Sequence, residues 1–196
     1  MPRHVNIILQ QTIINNKKCA GAYNNLVKFK TNKFINLFLR KQLHFMKGEL
    51  AVDNLITKEL IILDMEASSK EEVIKNLSKV IEAQYKLIDY DGYVKQVFER
   101  EKTFPTSIGF DVAIPHGKCD SVRCAALAFA RLKNEVQWSE EEKAKYVFLI
   151  AVPEKEAGNT HLQILAQLSR KIMREEFREK LQEASKIEEI LEVLSS

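Results

Sequence analysis

The sequence contains no apolar run that approaches the roughly 18 to 20 residues a membrane-spanning helix requires. It also lacks the arrangement of a secretory signal, because polar residues interrupt the stretch from Val5 to Ile14 and no small-residue cleavage site clearly follows. Cysteine is scarce and odd in number, and Cys19, Cys119 and Cys124 show no disulfide-framework spacing. These absences argue against export and predict a cytoplasmic protein with no direct membrane span.

Acidic residues are missing from the first quarter of the chain. Nine lysines and arginines precede Glu49, so residues 1–48 carry a charge of +9, whereas residues 49–196 carry −6. We therefore expect a basic, poorly ordered N-terminal extension over residues 1–48 and one domain over residues 49–196. Met46 is a candidate physiological start, because the acidic, well-patterned sequence begins immediately after it. Residues 34–43 have the alternative interpretation of a basic amphipathic anchor.

The overall positive charge gives no reason to expect nucleic-acid binding by the domain, because that charge belongs to the extension. The domain itself begins with regular patterning. Residues 60–65 are predicted to form a buried strand. The run Ser68-Ser69-Lys-Glu-Glu contains a capping box by either serine, which opens a helix with apolar residues three and four apart. Asp91 is a candidate cap for a second helix, which should end near residues 100–103.

The second half of the domain alternates predicted strands and helices. Residues 122–132 and 136–138 are predicted strands, and residues 146–152, the most apolar run, are typical of a central strand. A helix capped by Asn159-Thr160 follows, and two charged helices close the chain. The apolar side of the capped helix is predicted to comprise Leu162, Leu165, Leu168 and Ile172. This alternation predicts an α/β fold with a mixed β-sheet flanked by helices on both faces.

A histidine that follows a short apolar run is the main candidate for chemistry. His116 comes after Val-Ala-Ile-Pro115, and because proline ends such a run, we expect the ring at a strand exit. Histidine suits reversible phosphoryl transfer, since its pKa lies near working pH. Arg100 is the best candidate donor, because its planar fork matches phosphate oxygens. Other candidates for phosphate contact are Thr103, Thr106, Ser107, Gly117 and Lys118.

A second histidine has an informative position. His161 directly follows Asn159-Thr160, in the first turn of a predicted helix, where the helix dipole disfavours an imidazolium. Leu165 and Leu168, at i+4 and i+7, predict that its ring points toward the sheet. A neutral His161 could therefore hydrogen-bond a phosphoryl group carried by His116.

Each candidate also has an ordinary structural interpretation. A histidine after proline can be a loop residue, Arg100 can complement a helix C-terminus, and the Thr/Ser cluster can form a turn. A zinc site built on His116, Cys119 and Cys124 lacks a fourth ligand at the usual spacing. A Cys–His catalytic pair lacks an orienting acid. We therefore expect no metal site.

Two motifs resemble a known family. Residues 106–117, T-S-I-G-F-D-V-A-I-P-H-G, are similar to the T-G-[IL]-G-x-G-[IV]-A-[IV]-P-H-G signature of fructose/mannitol-type enzyme IIA domains of the bacterial sugar phosphotransferase system. An Arg-Glu pair, here Arg100-Glu101, precedes that signature. Residues 161–169, H-L-Q-I-L-A-Q-L-S, resemble the second family feature, H-L-x-x-L-A-x-L-S. The resemblance covers about residues 50–196.

The resemblance implies a role for each residue and partner. His116 would carry the phosphoryl group, Arg100 would help to hold it, and His161 would be the second active-site histidine. The donor would be the phosphocarrier protein HPr. The acceptor would be a cysteine of an enzyme IIB, which phosphorylates sugar passing through the membrane enzyme IIC. The implied fold is a mixed sheet flanked by helices, and the resemblance implies no metal or organic cofactor.

The sequence departs from the family pattern at two positions. Ser107 and Asp111 stand where the family has glycine, which tolerates positive φ. We expect an altered loop geometry, and Asp111 adds a negative charge near the predicted phosphoryl site. Phe104-Pro105 resembles galactitol-type members, so this loop does not identify the sugar. Two function classes remain, a phosphoryl carrier for sugar uptake and a regulator of the nitrogen-related enzyme IIA type that acts by binding partners.

Overall fold

The computed structural model describes residues 55–155 and 160–195. Within them, five strands form one mixed sheet, and five α-helices accompany it. The strands are β1 (Ile61–Met65), β2 (Val112–Ala113), β3 (His116–Cys119), β4 (Ala126–Gln137) and β5 (Lys143–Pro153). The helices are α1 (Lys70–Ala83), α2 (Tyr90–Thr103), α3 (Thr160–Ile172), α4 (Glu175–Glu183) and α5 (Ile187–Ser195), and a 3-10 turn spans Lys58–Leu60. The predicted α/β fold with a mixed sheet is confirmed.

Strand β5 is the centre of the sheet. It runs antiparallel to β4 on one side and parallel to β2 and β3 on the other, while β1 adds to β4 in parallel. Residues 146–152 are all buried. A strand that is hydrogen-bonded along both edges and covered on both faces has no place for polar side chains, which explains its continuous apolar sequence.

Helix α1 begins at the predicted capping box. The Ser69 hydroxyl accepts a hydrogen bond from the Glu72 amide at 3.2 Å. The Glu72 carboxylate in turn accepts bonds from the amide and hydroxyl of Ser68, both at 2.8 Å. The helix then buries Val73, Ile74, Leu77 and Ile81, spaced three and four apart, against the core.

Two predicted boundaries were wrong. The N-cap of α2 is Asp89, and Asp91 lies one residue inside the helix. Strand β4 begins at Ala126 and not at residue 122, because the amides of Arg123 and Cys124 donate to the Lys86 carbonyl in the loop between α1 and α2. Residues 136 and 137 belong to β4 too, beyond a register irregularity that makes one long strand look like two in the sequence.

Several predictions lie outside the described residues. These are the basic extension over residues 1–48, the start at Met46, the amphipathic segment 34–43 and the Asn159 cap. No helix among the described residues is long and apolar enough to cross a bilayer.

Candidate active site

His116 lies where β2 gives way to β3. Strand β2 ends at Ala113, and His116 is itself the first residue of β3, paired with Ile150 of the central strand. The expected strand exit is therefore also a strand entrance. Between them, the Pro115 carbonyl accepts a hydrogen bond from the Ile150 amide at 3.0 Å, which ties this bend to β5. The His116 residue is 8% exposed, so most of its ring is shielded from water.

The hydrogen bonds of the His116 ring determine its tautomer. Nδ1 lies 2.8 Å from the Ile114 carbonyl oxygen, which can only accept, so Nδ1 carries the proton. Nε2 then presents a lone pair, and the Arg100 Nε–H donates to it at 3.1 Å. The ring atom of His116 with an available lone pair is therefore Nε2.

The environment also keeps this ring neutral. Burial lowers the pKa of His116 below its ordinary value, and the positive charge of Arg100 lowers it further. The bond to the Ile114 carbonyl and the negative charge of Glu101 oppose part of that shift. A buried histidine with a lowered pKa is neutral at neutral pH, so one ring nitrogen keeps the lone pair that a nucleophile must have.

Arg100 reaches the ring from the last turn of α2. Its NH1 donates to the Phe104 carbonyl at 2.8 Å, just past the helix end, while its Nε faces His116. One guanidinium thus joins the helix end to the ring. It is half-buried, where a cation interacts with an anionic group more strongly than it would in water.

His161 completes a histidine pair. It lies in the first turn of α3, as predicted, and its ring centroid is 4.7 Å from that of His116, with 52° between the ring planes. Burial lowers the pKa of His161 to about 4, with further contributions from His116, Lys118 and Arg100. Its Nε2 is buried and has no hydrogen-bond partner within the described residues. Because a buried polar atom without a partner costs stability, this nitrogen is suited to a ligand atom.

The apolar side of α3 differs from the prediction at two positions. Ile164, Leu168 and Ile172 form the buried face, and Leu165 is partly buried. Leu162 instead points outward and is one of the exposed large hydrophobic residues. A helix advances by about 100° per residue, so a side chain adjacent to the inward-facing His161 is directed away from it.

The predicted phosphate-contacting residues have different surroundings. The buried Thr106 donates its amide to Glu101 Oε1 at 3.0 Å and its hydroxyl to Glu101 Oε2 at 2.6 Å, so both of its donors are engaged. Ser107 forms an isolated antiparallel bridge with Ala113. At Gly117 an added Cβ would lie 2.9 Å from Tyr93 Cε2 and 3.0 Å from Val97 Cγ2. This glycine therefore allows β3 and α2 to pack closely.

The two departures from the glycine pattern have unequal consequences. Ser107 does not have a positive φ, so a side chain there is unstrained. Asp111 has a φ of 56°, next to Phe110 at 55° and Gly109 at 79°. Aspartate tolerates this left-handed region better than most residues. The negative charge of the exposed Asp111 raises the pKa of Tyr146. The carboxylate that raises the pKa of His116 is instead Glu101.

Sequence reasoning named Glu101 only as part of the Arg-Glu pair and assigned no role to it or to Trp138. Trp138 donates its Nε1–H to Glu101 Oε1 at 2.9 Å, beside the two bonds from Thr106. Glu101 follows Tyr93, Val94 and Val97 at helical spacing, so it falls on the buried side of α2. That spacing was the available signal, because an acid on an apolar helix face requires buried donors. The described residues contain no cluster of three or more His, Cys, Asp or Glu side chains suited to hold a metal ion.

Comparisons with known proteins agree with this geometry. A family model described as "Phosphoenolpyruvate-dependent sugar phosphotransferase system, EIIA 2" matches residues 54–196. The PTS system fructose-specific EIIA component of Haloferax volcanii is 37% identical over 139 residues, which cover 70% of this chain and 90% of that protein. The PTS system fructose-specific EIIABC component of Bacillus subtilis is 38% identical over 148 residues, which cover 74% of this chain. The chain spans 23% of the length of that relative.

Solved structures share the fold. The nitrogen regulatory protein IIA-Ntr from Neisseria meningitidis has a TM-score of 0.68 at 29% identity, and the match covers 73% of this chain and 98% of that one. Enzyme IIAMTL in complex with phosphorylated enzyme IIBMTL, from Escherichia coli, has a TM-score of 0.63 at 28% identity and covers 71% and 96%. The region matched by the family model contains Arg100, His116 and His161, and the chain belongs to the EIIA 2 family of the phosphoenolpyruvate-dependent sugar phosphotransferase system.

Proposed function

We propose that this chain is a phosphoryl carrier that receives phosphate from phosphorylated HPr on His116 and passes it to a cysteine of an enzyme IIB during sugar uptake, in the fructose/mannitol class. The observation that carries the proposal is the His116 ring, with its proton held at Nδ1 and its Nε2 lone pair directed at Arg100. Membership of the EIIA 2 family supports a phosphotransferase component with a phosphohistidine intermediate. We further propose that the chain acts in the cytoplasm and serves a membrane enzyme IIC through enzyme IIB.

In the first step, the Nε2 lone pair attacks the phosphorus carried by the donor. The new Nε2–P bond forms as the bond between phosphorus and the donor breaks. No proton has to leave Nε2, because the ring proton stays on Nδ1, where it is hydrogen-bonded to the Ile114 carbonyl. The reacting atom therefore needs no separate base.

Two groups would hold the transferred phosphoryl group. The Arg100 guanidinium already lies at hydrogen-bond distance from Nε2, so its N–H groups would meet the phosphoryl oxygens once that nitrogen is phosphorylated. The buried His161 Nε2, carrying its hydrogen, would donate a hydrogen bond to another oxygen and so gain the partner it lacks. The second step reverses the first, as an enzyme IIB thiolate attacks phosphorus, an S–P bond forms and the Nε2–P bond breaks.

The surface beside these groups is suited to protein partners. Phe104, whose carbonyl binds Arg100, and Leu162, next to His161, are both exposed hydrophobic residues. Exposed apolar side chains at a functional site are typical of docking surfaces. A related solved complex joins enzyme IIAMTL to phosphorylated enzyme IIBMTL, which supports an enzyme IIB as the acceptor.

The second candidate function is regulation of the nitrogen-related type. It is favoured by the likeness to IIA-Ntr, whose TM-score of 0.68 exceeds the 0.63 of enzyme IIAMTL. The fructose-specific relatives are more similar in sequence, at 37% and 38% identity against 29%. We therefore keep sugar uptake as the main proposal. Transfer of label from this chain to an enzyme IIB distinguishes the two.

The test incubates the protein with enzyme I, HPr and radiolabelled phosphoenolpyruvate and measures acid-labile label. We expect label on the wild type and none on His116→Ala. Undiminished label on His116→Ala, or an unlabelled wild type, would contradict the proposal. For His161→Ala we expect that His116 is still phosphorylated. Transfer to enzyme IIB should slow by about tenfold or more, because a hydrogen-bond donor to the phosphoryl group is lost. Unchanged onward transfer would remove His161 from the site.

A further inference from the structure

We propose that Glu101 is a positioning residue that orients the His116 ring through Thr106 and Ile114. Its effect on phosphoryl transfer rests on the function proposed above, whereas its effect on the ring does not. The proposal starts from the surroundings of this carboxylate. Glu101 is 4% exposed, and it accepts hydrogen bonds from the Thr106 amide, the Thr106 hydroxyl and Trp138 Nε1.

These bonds hold one short piece of chain firmly. Three donors converge on two oxygens at 2.6 to 3.0 Å, which matches an ionised carboxylate because that form only accepts. Charge-assisted bonds of this length are stronger than neutral ones, and burial strengthens them further. Thr106 is held through both its backbone and its side chain, so it has little freedom to shift relative to α2.

The held residue leads directly to the nucleophile. The Thr106 carbonyl accepts a hydrogen bond from the Ile114 amide at 3.0 Å. The Ile114 carbonyl accepts the bond from His116 Nδ1 at 2.8 Å. The path from Glu101 to the ring therefore consists of three consecutive hydrogen-bonded links, and the bridge between Ser107 and Ala113 reinforces the middle one.

Two neighbouring residues of α2 thus act on the two nitrogens of one ring. Arg100 donates to Nε2 directly, and Glu101 controls the carbonyl that fixes the proton at Nδ1. If the Ile114 carbonyl moves, the ring can rotate, or its proton can occupy Nε2. Either change removes the lone pair from the direction of attack.

The experiment labels histidine with 15N and records the imidazole nitrogen resonances at pH 8, where His116 is neutral. In the wild type we expect one protonated and one unprotonated nitrogen, at Nδ1 and Nε2. In Glu101→Ala we expect signals averaged between the tautomers and phosphorylation slowed by about tenfold or more. Glu101→Gln should restore most of both, because its amide can accept from the Thr106 amide and Trp138 and donate to the Thr106 hydroxyl.

Two further variants keep the test decisive. Ser78→Ala removes another buried hydrogen bond, from the Ser78 hydroxyl to the Ile74 carbonyl, and should leave resonances and rate at wild-type values. If Glu101→Ala does not fold, Glu101→Asp replaces it, because its shorter chain keeps the charge but cannot reach Thr106 and Trp138 together. We then expect the same loss in a smaller degree.

The outcomes separate the two proposals. Wild-type His116 resonances in both Glu101→Ala and Glu101→Asp, or a slower rate with the tautomer unchanged, would overturn the positioning role. A wild type that takes no label would contradict the phosphoryl-carrier function, yet the resonances of the same samples would still decide whether Glu101 orients the ring.

Discussion

At the scale of single residues, the site depends on a histidine held by both ring nitrogens. The Ile114 carbonyl fixes the proton at Nδ1, and Arg100 marks the direction of attack at Nε2. His161 is kept neutral by burial and by neighbouring positive groups, and its Nε2 lacks a partner among the described residues. These features belong to individual side chains and can be tested by single substitutions.

Replacement of Arg100 by lysine keeps the charge and removes the planar fork. Lysine cannot bind the Phe104 carbonyl and the reacting group at the same time in this fixed geometry. We expect His116 phosphorylation to slow by about tenfold to a hundredfold, equivalent to roughly 1.4 to 2.7 kcal/mol. Rapid-quench measurement of label transfer from HPr provides the rate. Lys102→Arg, on the exposed side of α2, is the matched control, and equal rates in Arg100→Lys and wild type would exclude a role for the fork.

Acidification should expose the cost of burying His161. Its pKa is about 4 in the fold and 6.5 ordinarily, so below pH 6.5 the unfolded chain binds a proton that the native chain does not. Native stability is therefore lost as pH falls from 6.5 to 4. After allowance for partial solvent exposure, we expect about 1 to 3 kcal/mol.

Urea unfolding of wild type and His161→Gln at pH 7.5 and pH 4.5 measures this effect. Carboxylates and histidines away from the site contribute equally to both proteins, so the difference between their pH dependences reports on His161 and its contact with His116. We expect the smaller loss in His161→Gln. Identical losses would mean that His161 titrates normally in the folded protein.

At the scale of elements, the site depends on the close approach of α2 and β3. Arg100 and Glu101 lie at the end of α2, and His116 begins β3, so the spacing between these two elements sets the distance between cation and nucleophile. Gly117 makes that spacing possible. Tyr93 prevents simple relief of a clash there, because its hydroxyl donates to the Ile150 carbonyl at 3.1 Å from a fully buried position.

We expect Gly117→Ala to separate these elements. The new methyl would clash with the side chains of Tyr93 and Val97, and such overpacking costs roughly 1 to 3 kcal/mol in a packed core. Chemical denaturation measures the loss, and the label assay should show slower phosphorylation. The comparison variant is Gly109→Ala, where the Cβ has room but φ is 79°, so a loss near 1 kcal/mol should arise from backbone strain alone. Wild-type stability of Gly117→Ala would show that α2 can move without cost.

At the scale of the whole molecule, one half-buried cation connects the sheet with the C-terminal helices. Arg131 of β4 donates through NH1 to the carbonyls of Leu181, Gln182 and Ala184 at the end of α4, and its NH2 meets Asp64 at 3.3 Å. Terminal helix carbonyls lack partners within the helix, and a cation there also complements the helix dipole. Arg131 therefore anchors α4 on the sheet.

Arg131→Met should loosen that attachment. The substitution keeps most of the apolar stem and removes the donors, so we expect a loss of about 1.5 to 3 kcal/mol, as for buried bonds to a charged group. Hydrogen exchange should show reduced protection first in α4 and α5. Lys133→Met on the same strand removes only the exposed ion pair with Glu66 and should cost under about 1 kcal/mol. Equal effects of the two substitutions would contradict the anchoring role.

The candidate nucleophile and its two expected partners could be predicted from the sequence. Spacing and residue chemistry singled out Arg100, His116 and His161, and the structure brings His116 into contact with both. Periodicity also predicted α1, the central strand β5 and the helices near the C-terminus. Such properties are local, because they depend on residue type and on neighbours within a few positions.

Other features depended on contacts between residues far apart in the sequence. The bond from Arg100 to His116 Nε2, the packing role of Gly117 and the true start of β4 all depend on such contacts. The helical spacing of Glu101 indicates a buried acid, but no local pattern identifies Trp138 as its donor. Residue type thus selects the chemistry that the site can perform, whereas the packing of α2 and α3 against β3 of the sheet decides which atoms perform it.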